Sequence, residues 1–190
     1  MKLNRIFLLM MLVLITNVAC KNKAAYYNGE SMANYPDLEL IWKENFELFD
    51  RGPETYKLIT IENNKKDTAF VHPDNIDWNE WKGPLLTTNI HKKEFDKQYK
   101  IDMFNDTLSN TMTILYTSLN VQNATNSVSI VSSSIDNSIS SVFVNYVDAG
   151  FFSSTSYKLL YVNGVSIQVQ ETIKKPFSKL KKRIRTLYFN

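Results

Sequence analysis

Apolar and polar residues follow a β-strand pattern along the second half of the chain. From residue 111 onward, apolar positions alternate with polar ones or form short runs between turns that contain Asn, Ser or Gly. Short connections of this kind join antiparallel neighbours. An earlier pair of segments, 56–62 and 67–71, flanks the polar residues 63–66 and is typical of a hairpin with a four-residue turn. Together they predict an antiparallel meander of about eight strands, the later six at 111–119, 127–135, 139–147, 156–162, 165–172 and 183–189.

The faces of these predicted strands differ in polarity. In 165–170, Val and Ile alternate with Ser and Gln, which predicts one solvent-exposed face. In 142–144 and 159–161 both faces are apolar, so we expect the middle of the sheet to be covered on both sides. Asn163-Gly164 predicts a type I′ turn, because these residues accept positive φ angles. A sheet of this size forms a curved sheet or an incomplete barrel, which can enclose a small ligand.

An amphipathic helix is predicted before the strands. Between Pro36 and Gly52, apolar residues recur at helical spacing, at Leu38, Ile41, Trp42, Phe46 and Phe49. Because this stripe is aromatic and the opposite side is acidic, we expect the stripe to cover one face of the sheet. The predicted fold class is α+β, dominated by β-structure.

Two further segments have helical features. Asp77 and Glu80 have the spacing of a capping box, and Gly83-Pro84 predicts an early end of the short helix that follows. Residues 91–104 place Phe95, Tyr99 and Met103 four residues apart and are interpreted as another helix.

The first twenty residues have the organisation of a signal peptide. Lys2 and Arg5 precede an uncharged apolar run at 6–15, which is too short to cross a bilayer. The run is followed by Thr16-Asn17-Val18-Ala19-Cys20, with a small residue directly before a cysteine. Over residues 1–20 the chain therefore resembles bacterial lipoproteins, whose signal peptidase cuts at this place. It departs from their usual motif at Asn17, where an aliphatic residue is common.

This resemblance implies that residues 1–19 are removed and that Cys20 is lipidated, which attaches the protein to the membrane of the cell envelope. Lys21 follows the cysteine in place of the Asp that retains some Gram-negative lipoproteins in the inner membrane, so an outer-membrane location is favoured. Residues 20–34 show no periodicity and are expected to form a tether, and residues 35–190 are expected to form one globular domain. Cys20 is the single cysteine, which excludes an intramolecular disulfide.

Charge is distributed unevenly along the chain. Residues 20–173 contain thirteen basic and nineteen acidic residues, a net charge of −6. The last acid is Glu171, so every charged side chain after residue 173 is basic. One interpretation places the basic tail against anionic lipid headgroups or another polyanion. The other is a solvated loop and an edge strand whose lysines prevent pairing between sheets. Residues 20–190 together contain 20 basic and 19 acidic residues, and this near-neutral balance argues against nucleic-acid binding. The basic tail consists of Lys174, Lys175, Lys179, Lys181, Lys182, Arg183 and Arg185.

Candidates for chemistry are few. His72 and His91 lie outside any metal-ligand cluster, and the five glycines form no phosphate-binding loop, so we expect neither metal nor cofactor. His72 with Asp74 could act as a general base, and Asp74, Asp77 and Glu80 could supply a glycosidase-like carboxylate pair. A turn and surface role is the simpler interpretation of these residues.

Two pairs of residues are candidates for surface functions. Trp78 and Trp81 share one helix face and could stack on a ligand or partner, although burial against the sheet is favoured. Asp67-Thr68-Ala69 and Asp106-Thr107-Leu108 resemble the O-glycosylation acceptor of some Gram-negative lipoproteins, which predicts that Thr68 and Thr107 lie on the surface.

The sequence favours a non-enzymatic binding or interaction module on the envelope membrane. Three alternatives remain open: a carrier of a lipid or apolar ligand in a half-barrel, an inhibitor or immunity-type lipoprotein that binds a partner protein, and a hydrolase that uses His72 and Asp74.

Overall fold

The computed structural model describes residues 35–43 and 54–189. Within them a helical segment spans 38–43 (α1), a helix spans Trp78–Leu86 (α2), and short 3-10 turns span Pro73–Asn75 and Lys93–Phe95. The strands are β1 Tyr56–Glu62, β2 Lys65–Val71, β3 Tyr99–Asp106, β4 Thr111–Ser118, β5 Thr125–Ser133, β6 Ile139–Ala149, β7 Ser154–Val162, β8 Ser166–Lys174 and β9 Lys181–Tyr188. Among the described residues, no helix has the length and apolarity to cross a membrane.

All nine strands belong to one antiparallel sheet, in the order β2-β1-β9-β8-β7-β6-β5-β4-β3. From β3 to β9 each strand pairs with the next along the chain, and β1 then pairs with β9, so the two ends of the domain meet inside the sheet. β2 and β3 form the two edges, and the sheet is open. The predicted antiparallel, β-dominated fold is confirmed, with nine strands in place of about eight.

The additional strand lies where the sequence was interpreted as a helix. That interpretation of 91–104 is wrong: after the 3-10 turn at Lys93–Phe95, the chain forms β3 and pairs with β4. A spacing of four places side chains on one face of a strand as well as on one face of a helix, so Tyr99 and Met103 fit both. The pairing of Tyr99 with Ser118 shows that this segment is a strand.

Two hairpin turns differ from their predicted geometry. Glu62 pairs with Lys65, so Asn63 and Asn64 alone form the first turn, with φ angles of 51° and 66°. Asparagine tolerates this left-handed conformation, which a two-residue hairpin needs. Between β7 and β8, Val162 pairs with Ser166 and Gly164 has a φ of 66°, which makes a three-residue loop. The predicted type I′ turn is therefore wrong there.

α2 begins as the sequence predicts but continues further. The Asp77 side chain caps it by accepting a hydrogen bond from the Asn79 N–H at 3.0 Å. The predicted end at Gly83-Pro84 is wrong, because the helix continues to Leu86 with Pro84 inside it. A proline in a helix interior costs about 3 kcal/mol. Complete burial of Leu85 in the core offsets that cost.

The core lies between one face of the sheet and the segments 35–43 and 72–98. Trp42 and Leu38 of α1 are almost completely buried, and the Trp42 ring meets Tyr161 of β7 edge to face, with 6.1 Å between the ring centroids. The Trp42 indole N–H also donates to the Thr88 hydroxyl at 3.3 Å. The rest of the predicted helix, with Phe46 and Phe49, lies outside the described residues.

The opposite face of the sheet is more exposed. Phe143 of β6 and Leu160 of β7 are paired neighbours on this face, and both are partly exposed to solvent. The segments that pack against the sheet within the described residues lie on the core face. The expected second cover is therefore not observed in the described part of the chain.

Tyr99 makes stability sensitive to alkaline pH. It is buried, its hydroxyl donates to the Thr125 carbonyl at 2.7 Å, and burial raises its pKa well above the ordinary value of 10.0. In the unfolded chain the hydroxyl ionises near its ordinary pKa, whereas the folded protein keeps it neutral to higher pH. The free energy of unfolding contributed by Tyr99 is therefore constant at neutral pH and falls as pH rises above about 10.

We expect urea unfolding between pH 8 and 11 to show this decline, and Tyr99→Phe to make it less steep at the cost of one hydrogen bond at neutral pH. An equally steep decline in both proteins would contradict the assignment to Tyr99.

Candidate functional site

Two adjacent hairpin loops form an exposed, apolar and positively charged surface at one end of the sheet. Loop 150–153 connects β6 to β7 and loop 175–180 connects β8 to β9. They are neighbours because β7 pairs with β8, with Ser154 opposite Lys174. We call this surface the basic aromatic tip; its members are Phe151, Phe152, Phe177, Leu180, Lys174, Lys175, Lys179, Lys181 and Lys182.

The apolar members of the tip face solvent. Phe151 is 94% exposed, Phe152 is 74% exposed, and the two rings meet edge to face at 4.6 Å. Phe177 is completely exposed and has a φ of 58°, an unusual conformation for a residue that is not glycine. Contiguous exposed apolar side chains are uncommon on soluble domains and mark sites of interaction.

A groove runs between the two loops. It has a volume of about 600 Å³ and is lined on its apolar sides by Phe152, Phe177 and Leu180, with Lys174 and Lys175 beside them. The groove is shallow and open toward solvent. It can accommodate an extended or chain-like apolar group next to a positive charge.

The basic tail does not form an edge strand. β9 pairs with β8 on one side and, from Arg183 to Tyr188, with β1 on the other, so β9 is an interior strand. The edge-strand interpretation of the basic tail is therefore wrong, whereas its loop part, 175–180, agrees with the structure. Lys181 and Lys182 extend beyond the last paired residue of β1 and follow directly on that loop.

The two ends of the sheet carry opposite charges. The turns at the far end contain Asp106 and Asp136, both exposed. Hydrogen bonds from Ser109 lower the pKa of Asp106, and hydrogen bonds from Ser138 lower the pKa of Asp136, so both are anionic at neutral pH. The far end also exposes Leu108 and Ile135, so charge distinguishes the two ends more than apolar exposure does.

A buried ion network lies on the core face next to α2. Arg185 donates to Glu171 at 3.0 Å and to Glu80, and Arg183 donates two hydrogen bonds to the other oxygen of Glu171 at 2.8 and 3.0 Å. The Arg185 guanidinium also lies over the Trp81 ring, 5.1 Å from its centroid. The network links β8, β9 and α2, and it neutralises the buried Glu171, which indicates a structural role.

The tryptophan candidates lie against the sheet. Trp81 is 4% exposed beneath Arg185, and Trp78 is partly buried with its ring edge to face on Tyr56. The two residues therefore fasten α2 to β1 and β9. Of the two tryptophans, only the exposed part of the Trp78 side chain is accessible to a ligand.

The candidate hydrolase residues are spread over an exposed turn and the ion network. His72 Nδ1 lies 3.3 Å from a carboxylate oxygen of Asp74, and the same nitrogen accepts the Asp74 N–H as a cap of the 3-10 turn. Both side chains are more than half exposed. Glu80 is paired with Arg185. Asp77 caps α2, so these carboxylates are engaged in helix caps and ion pairs.

Both predicted glycosylation sites are exposed, whereas the predicted lipidation site is not described. Thr68 lies exposed on edge strand β2, and Thr107 lies exposed in the turn between β3 and β4. Cys20, the predicted tether and the predicted signal peptide lie outside the described residues. In the range 35–43 and 54–189, no group of three or more His, Cys, Asp or Glu side chains could hold a metal ion.

Comparison of the chain with models of protein families, with curated proteins and with solved structures finds no match in any of the three. The functional argument therefore depends on the residues themselves. Of these, the sequence singled out the lysines of the tip but not its phenylalanines. Phe151 and Phe152 are separated from the basic tail by β7 and most of β8.

Proposed function

We propose that this protein is an exported envelope lipoprotein, anchored through lipidated Cys20, whose β-rich domain acts as a non-enzymatic binding or interaction module. The observation that carries the anchor is the order of the first twenty residues: two cations, an uncharged apolar run, then Ala19-Cys20. Lys21 favours the outer membrane as the destination. Residues 20–34 connect the lipid to the domain, and a helix that begins with α1 covers the core face of the sheet.

The binding role is supported by the surface of the domain. The basic aromatic tip combines an open groove with exposed aromatic rings, whereas the titratable candidates for catalysis are engaged in caps and ion pairs. A carrier function receives less support, because the face that a half-barrel would use for its ligand is filled by side chains such as Trp42, Leu85 and Tyr161.

Metabolic labelling with palmitate tests the anchor. In bacteria that mature lipoproteins, we expect the wild-type chain to incorporate label and to fractionate with membranes, and Cys20→Ser to lose both properties. Asn17→Leu is the matched control, because it restores the usual aliphatic residue without touching the lipidated thiol. We expect it to increase the processed fraction. An unlabelled wild type, or equal label in Cys20→Ser, would falsify the anchor.

A further inference from the structure

We propose that the basic aromatic tip docks on the surface of an anionic lipid bilayer, with its phenylalanines in the headgroup region and its lysines against lipid phosphates. This inference rests on the proposed membrane anchor and names the surface that the anchored domain contacts. It assigns a function to the one place in the described chain where exposed aromatic rings and lysines from two loops meet.

The composition of the tip favours a bilayer over a protein partner. Aromatic residues are common in both kinds of interface, but lysine is depleted where two proteins meet. At a membrane surface the combination is favourable, because aromatic side chains enter the boundary between headgroups and acyl chains while lysines remain beside the phosphates. Five lysines among nine tip residues therefore indicate lipid.

Charge complementarity specifies an anionic bilayer. No acid follows Glu171, and the exposed acids on the neighbouring strands near the tip are Glu62 at the end of β1, opposite Arg183, and Asp148 near the end of β6. The far end of the sheet exposes Leu108 and Ile135 beside Asp106 and Asp136, whose charge an anionic surface repels. One end of the domain is thus suited to such a surface and the other is not.

The position of the tip is compatible with the anchor. Successive strand pairs align Thr117 of β4 with Gln170 of β8 in one row across the sheet. Both loops of the tip lie on one side of this row. Tyr99, the first residue of β3, lies on the same side. The Tyr35 hydroxyl accepts a hydrogen bond from the Tyr99 N–H at 3.2 Å. The first described residue therefore lies at the same end of the sheet as the tip.

Distances allow the anchor and the tip to reach one bilayer together. The strands from β3 to β8 cover about 24 Å, at roughly 4.8 Å for each of five steps. A tether over residues 20–34 spans up to about 50 Å when extended. Because the tether holds the tip close to the lipid, even weak docking is populated.

An environment-sensitive fluorophore tests the docking. The full chain is reconstituted into phosphatidylcholine vesicles with or without phosphatidylglycerol, and carries the dye on Ser178→Cys in the tip. Ser134→Cys, an exposed loop serine at the far end, is the matched control. We expect a blue shift and quenching by brominated lipid for the dye at position 178, on vesicles with phosphatidylglycerol only. Equal emission at the two positions, or equal insertion into neutral vesicles, overturns the proposal.

Second variants separate the two parts of the contact. Phe177→Ser with Leu180→Ser should abolish the blue shift, whereas Leu108→Ser with Ile135→Ser should leave it unchanged. Lys175→Gln and Lys179→Gln should each lower the ratio of docked to undocked tip about fivefold at low salt. A blue shift that survives both the apolar and the lysine variants contradicts docking through this surface.

The same samples distinguish a failed anchor from a failed tip. A lipidated Cys20 has no free thiol, so the chain without an added cysteine should take up no dye. Dye on that chain contradicts the proposed anchor, whereas the comparison of positions 178 and 134, after subtraction of this background, still decides the docking.

Discussion

Replacing Trp42 with alanine should lower the free energy of unfolding by about 3–5 kcal/mol, the usual cost of removing a large aromatic side chain from a packed core. Trp42 is 1% exposed, its ring lies against Tyr161, and its indole N–H donates to Thr88. The truncation leaves a cavity between α1 and β7, and it leaves the Thr88 hydroxyl without that donor. Urea unfolding followed by tyrosine fluorescence or circular dichroism measures the loss.

Leu40→Ala is the control for this prediction. Leu40 lies on the same helical segment but is 52% exposed, and alanine keeps the helix propensity. We expect a change below about 1 kcal/mol. If the two variants were equally stable, packing of α1 on the sheet would not contribute to the fold.

Arg185→Ala should destabilise the domain by about 3–5 kcal/mol, because it leaves the carboxylate of Glu171 buried with one of its two partners removed. Glu171 is 5% exposed, and Arg185 also holds Glu80 and covers Trp81. Arg183, which lies directly opposite Glu171 in the sheet, continues to pair with it, but its side chain is 37% exposed. Thermal and urea unfolding at neutral pH measure the effect.

Two further variants test whether the loss arises from the buried charge. Glu80→Gln should cost less than about 1 kcal/mol, because the Glu80 side chain is 54% exposed and solvent screens its pair. Arg185→Met combined with Glu171→Met should recover most of the stability, since apolar replacements remove both desolvation costs. The buried Nε of Arg185 makes no hydrogen bond to the described residues, which adds to the cost of keeping this arginine. A double variant as unstable as Arg185→Ala would contradict this account.

Local periodicity predicted most of the strands well, for a physical reason. In β5 to β8 the residues that face the core alternate with residues that face outward, and this period of two is visible without knowledge of the partners. The Asp77 cap is equally local, because its hydrogen bond reaches only to Asn79. β3 was missed because its apolar residues recur at a spacing that helix and strand share.

The turns show where local signals are insufficient. Asn163-Gly164 accepts several hairpin geometries, and the pairing of Val162 with Ser166 selects the three-residue loop. Pro84 predicts the end of a helix by its own chemistry, but burial of Leu85 beyond it keeps the helix intact. In both places long-range packing outweighs a local preference of a few kcal/mol at most.

The sequence by itself determined the β-rich class of the domain and the basic character of its end, and it is the basis of the proposed anchor at Cys20, because each of these depends on neighbouring residues or on composition. The tertiary structure alone decided that β9 lies between β1 and β8 and is not an edge strand. It also decided that Phe152 and Phe177, twenty-five positions apart in the chain, line one groove. Such strand pairings form because strands bury one face of the whole sheet together. A short segment of sequence does not specify which distant strand will be its partner.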